Sequence, residues 1–472
     1  MQELSKPKAS MCPDHLSPSL TRRDLLRAGA AALGASIVLP HTLSAWPRVH
    51  APPSSSLDVA LRAERWIRRS RIETPNGVTW PANPLQPTSV EYDLYNGMPG
   101  VVLFYLELHA ATGDAKWLAD ARAGANELVA HCAEMEKAQN CGLYTGLAGA
   151  AFVLEEVHRA TGESAYRDAA VRAIDAIHAQ AQPVGKGVAW SGESATNDII
   201  SGSAGIGLFL LWADRGIPNP RNRDTAIAAG RRLIEVAEPE HGGLKWAVAP
   251  NVKNHYPNFS HGAAGASYFL ATLYQATREK AFLDAALAGA TYLDAVANKE
   301  GDALKVFHHE PGGESLYYLS WCHGPAGLSR LFYRLGDVTG DARWHDRMGR
   351  AAAAIQAAGV PEQRTDGFWN NISQCCGNCG VGEYFLTMNR LMPNASYAEM
   401  VGRVAADTLR RSSADDDGLK WIQAENRVSP NDVVAQTGFM QGAAGVGTFF
   451  LHCDAAAHGR STAIVWPDSP FA

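Results

Sequence analysis

A Gly-x-x-Gly turn that opens an apolar helix recurs seven times in this 472-residue chain. It reads YNGMPGVVLFYL at Gly97, YTGLAGAAFVLEEV at Gly146, ISGSAGIGLFLL at Gly202 and FSHGAAGASYFL at Gly262. It continues as SWCHGPAGLSRLFY at Gly324, QCCGNCGVGEYFL at Gly377 and MQGAAGVGTFFL at Gly442, a mean step of 57.5 residues from first to last. A unit of that length is one supersecondary element, and its hydrophobic face is buried only when neighbouring copies stack against it.

The phrases ATGDAKWLADARAGANEL, ATGESAYRDAAVRAIDAI and VTGDARWHDRMGRAAAAI lie between turns. In each, the glycine ends one helix in the left-handed conformation, and the acidic residue after it suits the start of the next. A glycine-containing segment with an aromatic (GVTW, GVAW and GLKW twice) often precedes the turn. Each repeat is thus an Ala-rich amphipathic helix, a short extended piece, the turn and an apolar helix. A helix apolar on all sides must be buried, whereas an amphipathic one can face water. Seven such hairpins closed in a ring predict an all-α (α/α)7 toroid, with apolar helices inside and the turns gathered at one end. The competing arrangement is an open solenoid, whose repeats are usually shorter and need capping units.

Ahead of the repeats, LTRRDLLRAGAAALGASIVLPHTLSAW sets Arg22 and Arg23 before an apolar run from Ala28 to Pro40, ending in the small residues Ser44 and Ala45. The pattern resembles a twin-arginine export signal; the alternative is a chance arginine pair before an apolar helix. It predicts a signal peptide over 1–45, one domain over 46–472, and export to the bacterial periplasm or another extracytoplasmic space. The apolar run is shorter than the roughly 20 residues of a membrane span, and no other run is long enough, so no transmembrane span is expected in the mature protein. A formal net charge of −6 carries no basic footprint and argues against nucleic acid as a partner.

Chemistry concentrates in the turns. The residue before the first glycine is, in order, Asn96, Thr145, Ser201, His261, His323, Cys376 and Gln441. Asn96, Thr145, Ser201 and Gln441 are expected to cap inner helices. Cys322, Cys375 and Cys376 lie in neighbouring turns, where helix-start N–H groups favour thiolates. Three thiolates converging at one end suit zinc with a fourth position open. The alternatives are a vicinal Cys375–Cys376 disulfide or a closed structural site that includes Cys379.

SHGAAG, SWCHGPAG and QCCGNCG, in this order in a seven-hairpin chain, resemble the lanthionine synthetase C-like family from about Leu57 onward. The resemblance implies an (α/α)7 toroid with one catalytic Zn2+, held here by Cys322, Cys375 and Cys376, the last a cysteine where many members carry histidine. It implies His261 as general acid/base and Asp198, in NDIISGSAG, as its acidic companion. Taken alone, His261 reads equally as a satisfied helix-start histidine and Asp198 as a loop carboxylate, and Asp93 stands equally four residues before its turn glycine. His323 is a substrate-contact candidate or a helix cap. The implied reaction adds a cysteine thiol to dehydroalanine or dehydrobutyrine, within one peptide or from a glutathione-type thiol. Tyr318 departs from the arginine that some peptide cyclases carry four residues before the first zinc cysteine. No dehydratase domain precedes the repeats, so a dehydrated substrate would come from elsewhere. Two other classes remain: a non-catalytic zinc-bearing peptide-binding module, and an (α/α)-barrel carbohydrate-active enzyme, which needs paired carboxylates that the seven turn positions lack.

Overall fold

The contrast between apolar and amphipathic helices sorts the chain into two concentric layers. A computed structural model describes residues 55–471 apart from 192–194, 218 and 251; the expected export signal lies outside the described residues. Among these, the inner helices are α2 (Met98–Thr112), α4 (Leu147–Thr161), α6 (Ser203–Asp214), α8 (Ala263–Thr277), α10 (Pro325–Thr339), α12 (Asn378–Leu391) and α14 (Ala443–Ala457). The outer ones are α1 (Ser56–Arg69), α3 (Ala115–Lys137), α5 (Ser164–Gln180), α7 (Arg221–Glu235), α9 (Lys280–Val296), α11 (Arg343–Ala357) and α13 (Ala395–Arg410). In α2 every residue from Met98 to Leu108 is buried, and in α6 every residue from Ser203 to Ala213. Outer helices bury one face only; α7 buries Asn222, Ala226, Ala229, Gly230 and Leu233.

The first helix packs against the last, α1 on α14, so the ring closes and the solenoid is excluded. A belt of seven backbone hydrogen bonds records the closure at the turns. Tyr95 N–H donates to the Tyr144 carbonyl (3.0 Å), Tyr144 to Ile200 (2.9 Å), Ile199 to Ser260 (3.0 Å) and Ser260 to Cys322 (3.0 Å). Cys322 then donates to Cys375 (3.1 Å), Cys375 to Met440 (3.2 Å), and Met440 back to Tyr95 (2.9 Å). Only the third turn slips by a residue. Each bond joins adjacent repeats, all but one at equivalent positions, so the belt fixes which side chains face each other.

The other recurring phrases have physical roles. Gly162 adopts φ 74° and closes α4 by donating to the His158 carbonyl, a conformation that costs glycine little. The aromatic segments form two-stranded antiparallel ribbons beyond the outer helices, such as Glu238–Glu240 with Gly243–Lys245. Their tryptophans lock ribbon to helix. The indole N–H of Trp190 donates to Ile177, Trp246 to Leu233 and Trp421 to Thr408, each thirteen residues back at 2.8–2.9 Å.

Candidate metal centre

Each turn presses its loop against the start of the helix it opens. A Cβ on Gly380 would lie 2.2 Å from the Gln374 carbonyl oxygen and 2.3 Å from Ser320 Oγ, so only glycine admits the approach. The helix-start donors are consumed locally. Met98, Leu147, Ser203, Ala263 and Ala443 each donate to the carbonyl seven residues upstream, and Cys379 does the same to Ile372 (3.0 Å). None of the seven inner helices carries a side-chain cap. The expectation that Thr145, Ser201 and Gln441 cap these helices is therefore corrected, as backbone carbonyls already occupy that position. Released from capping, Thr145 Oγ1 bonds Ser201 Oγ (3.2 Å) and Gln441 Nε2 donates to the Tyr95 hydroxyl (3.1 Å), linking turn to turn.

Cys322 and Cys375 occupy successive belt positions, and Cys376 follows. Their Sγ atoms all lie within 4.8 Å of one another. Cys322 Sγ is 3.0 Å from Cys376 Sγ, and Cys376 Sγ is 3.3 Å from Cys375 Sγ. A disulfide needs about 2.05 Å, so none joins them, and each cysteine is about 1% exposed. Sulfurs around tetrahedral zinc, with Zn–S of about 2.3 Å, stand about 3.8 Å apart. Opening the two shorter separations, 3.0 and 3.3 Å, to that spacing takes changes of about 0.8 and 0.5 Å, so small side-chain shifts let the three thiols fit such an ion. The Tyr95 hydroxyl donates to Cys375 Sγ at 2.9 Å, the kind of outer contact that orients a ligand and tunes its charge. Cys379 lies outside the cluster on α12, and burial, with Glu383 and Cys453 nearby, holds its thiol well above the usual range.

His261 and Asp198 meet as the next component. His261 Nδ1 is 2.5 Å from Asp198 Oδ2, with both side chains 2% exposed. The other carboxylate oxygen accepts the Ser201 N–H at 3.0 Å, holding Asp198 to its own turn. Asp93 binds Asn96 N–H in the same way (2.8 Å). The difference lies one repeat on, where Asp198 meets His261 but the equivalent position beside Asp93 is Thr145. Asp93 packs with Glu91, whose carboxyl is pushed up to about 7 by burial and by the charges of Asp93 and Glu425. His323 is 1% exposed within a group of rings. His308 lies 4.4 Å away by ring centroids, Tyr256 5.4 Å, His261 5.5 Å and Tyr318 5.6 Å.

The profile of lanthionine synthetase C-like proteins matches residues 88–466. The chain belongs to that family. No curated protein matches it. Among solved structures, nisin cyclase is 15% identical with a TM-score of 0.61, covering 87% of this chain and 96% of its own. The Lin0763 protein of Listeria innocua (13% identity, TM-score 0.48) covers 86% and 99%. The α-1,6-mannanase GH76A of Salegentibacter sp. HEL1_6, in an inactive variant (12% identity, TM-score 0.46), also covers 86% and 99%. At these identities the likeness to nisin cyclase shows a shared fold.

Within this lanthionine synthetase C-like chain, the structure adds residues that the sequence did not reveal. Arg427, in the loop between Gln423–Ala424 and Val433–Val434, donates from Nε to the Tyr318 hydroxyl at 3.1 Å. A cation from another repeat thus reaches the residue four places before Cys322. His308 packs 4.3 Å from Tyr318, and its Nδ1 is 2.8 Å from His309 Nδ1. Tyr95 was legible in principle, because it holds the belt position equivalent to Cys322 and Cys375. Arg427 and His308 sit in irregular loops, where the repeat register gives no guide.

Proposed function

We propose that this chain joins a cysteine thiol to a dehydroalanine or dehydrobutyrine residue, with one Zn2+ held by Cys322, Cys375 and Cys376. Family membership supports a cyclase-type, thioether-forming role. The observation that carries the finer reading is the convergence of three buried thiols beside a buried His–Asp pair. Bound there, the ion would keep a substrate thiol ionised near neutral pH. The chain's own residues do the rest. Sulfur bonds to the β-carbon, the double bond's electrons move to an enolate, and the α-carbon takes a proton, so the product is the sum of thiol and acceptor. His261 supplies that proton from Nε2, because Nδ1 is committed to Asp198. Asp198 holds the ring in that orientation and stabilises its charged form. Burial excludes water that would compete for the enolate's proton.

The substrate is a peptide bearing a dehydroamino acid, and the thiol comes from the same peptide or from a glutathione-type molecule. Incubating the zinc-loaded protein with a dehydroalanine peptide and glutathione, and separately with a peptide holding both groups, tests this by mass and by chemical detection of lost alkene. A product that requires both zinc and His261 supports catalysis. Binding without product, at full zinc content, leaves a peptide-binding module instead.

We also propose export by the twin-arginine route, supported by the run from Arg22 to Ala45. That route carries folded proteins, so metal would be loaded first and would guard the thiols outside. A fusion of residues 1–60 to a reporter tests it: loss of export in the Arg22→Lys, Arg23→Lys variant is expected, and unchanged export refutes it.

A further inference from the structure

Beyond α14 the chain returns through residues 458–471 and enters the bore of the inner ring. Glu107 on α2 accepts the N–H groups of Ala463 (3.3 Å) and Ile464 (3.0 Å). Arg330 on α10 donates to the Asp468 carbonyl (2.8 Å), and Arg390 on α12 holds the Phe471 carbonyl. The Tyr144 hydroxyl, at the second turn, donates to Asp468 Oδ2 (3.2 Å). One segment touches α2, α10, α12 and the second turn together only by lying inside the ring.

Trp466 stands at the head of this segment. Its ring lies 4.6 Å from Phe439, 5.9 Å from Tyr144 and 5.6 Å from Phe152, between centroids. Tyr144 packs in turn on Trp321 at 5.1 Å. These contacts lead to the sulfurs by two routes. Phe439 precedes Met440, whose carbonyl receives the Cys375 N–H, and Trp321 precedes Cys322. Beside Trp466 lies a cavity of about 650 Å³, lined also by Gln374, Met440 and Ile464. With that space alongside, the indole packs under turns two and seven, and removing it would leave them room to relax inward.

We infer that Trp466 is a positioning residue for the metal centre, setting the spacing of Cys322 and Cys375 from below. This rests on the metal reading above. Direct outer partners of a metal ligand typically contribute about 10–100-fold to affinity; Trp466 acts one packing layer further out, through Tyr144 and Phe439, so the low end of that range is expected. The test compares full-length wild type, Trp466→Ala and Trp466→Phe by zinc competition with a chromogenic chelator and by the Co2+ absorption spectrum. Phe471→Ala, at the far anchor of the same segment, is the control for general loosening. Expected are zinc affinity weakened at least about tenfold in Trp466→Ala with a changed Co2+ spectrum, recovery in Trp466→Phe, and a lower Tm but unchanged affinity in Phe471→Ala. Affinity in Trp466→Ala within twofold of wild type overturns the inference, as does an equal loss in Phe471→Ala. If Trp466→Ala does not fold, Trp466→Leu is read by the same criteria. Wild type that takes up neither Zn2+ nor Co2+ sinks the metal reading itself, a failure distinct from equal binding by all variants.

Discussion

Replacing Asp198 by asparagine probes the proposed proton delivery by His261 while keeping the side chain's shape. In the native site Oδ1 accepts the Ser201 N–H at 3.0 Å and Oδ2 faces His261 Nδ1 at 2.5 Å. The substituted amide must keep its one oxygen on Ser201, which turns its NH2 toward Nδ1. A donor then meets a donor whenever the imidazole is charged, the form that has a proton to give. A buried hydrogen bond between ionised partners contributes about 1.5–3 kcal/mol. At about 1.36 kcal/mol per tenfold, kcat should fall roughly 10–150-fold, with KM little changed and zinc content intact. Rapid-quench mass spectrometry on a dehydroalanine peptide measures the rate, and metal analysis confirms the ion. Coupling is checked by His261→Ala, since in that background the Asp198 change should cost little more. A zinc-replete Asp198→Asn protein within threefold of wild-type kcat would refute the assigned roles.

Three further outcomes follow from the same geometry. Tyr95→Phe removes the hydroxyl 2.9 Å from Cys375 Sγ and should weaken zinc affinity about 10–100-fold, read by chelator competition with the Tm nearly unchanged. Arg427→Ala removes a donor to the Tyr318 hydroxyl, whose ring lies 5.6 Å from the substrate-contact candidate His323, and should raise KM for the acceptor peptide about fivefold, the equivalent of about 1 kcal/mol, with kcat held; an unchanged KM refutes a part for Arg427 in acceptor binding. Burial opposes charge on His452, but Glu383 and Glu107 outweigh it and push its pKa up to about 10. A folded pKa above the unfolded value of about 6.5 means that this stabilisation is complete below about 6.5 and is lost as pH rises through 10. The Tm should therefore decline from pH 7 to 10, and His452→Gln should flatten that decline while lowering the Tm at pH 7.

The ring was legible because its cause is periodic: helices such as α2 and α6, apolar on every face, have nowhere to go but inside. The sulfur cluster was legible for a related reason, since repeat register alone makes Cys322 and Cys375 equivalent and adjacent. The capping expectation failed because loop carbonyls seven residues upstream already take the helix-start donors, a backbone arrangement that side-chain type does not encode. Arg427, His308 and Trp466 were invisible for another reason. They themselves lie in non-repeating loops or in the returning tail, and no local pattern encodes where such a segment will land.

The belt makes the seven turns geometrically interchangeable, so chemistry depends on what each turn carries and what its neighbour offers. Asp198, His261, Cys322 and Cys375 with Cys376 come from turns three to six in unbroken order, each joined to the next by a backbone bond of 3.0–3.1 Å. Asp93 shows the same local geometry in turn one, but there Thr145 rather than a histidine stands beside it. The remaining turns support from the flank: Tyr95 reaches Cys375, and Gln441 holds Tyr95. Moving the His–Asp pair one repeat away from the sulfurs would keep the bond between its partners and the bond from the aspartate to its own turn, yet would take it off the turn next to Cys322. Order around the ring, more than the geometry of any single turn, is therefore what the proposed reaction requires.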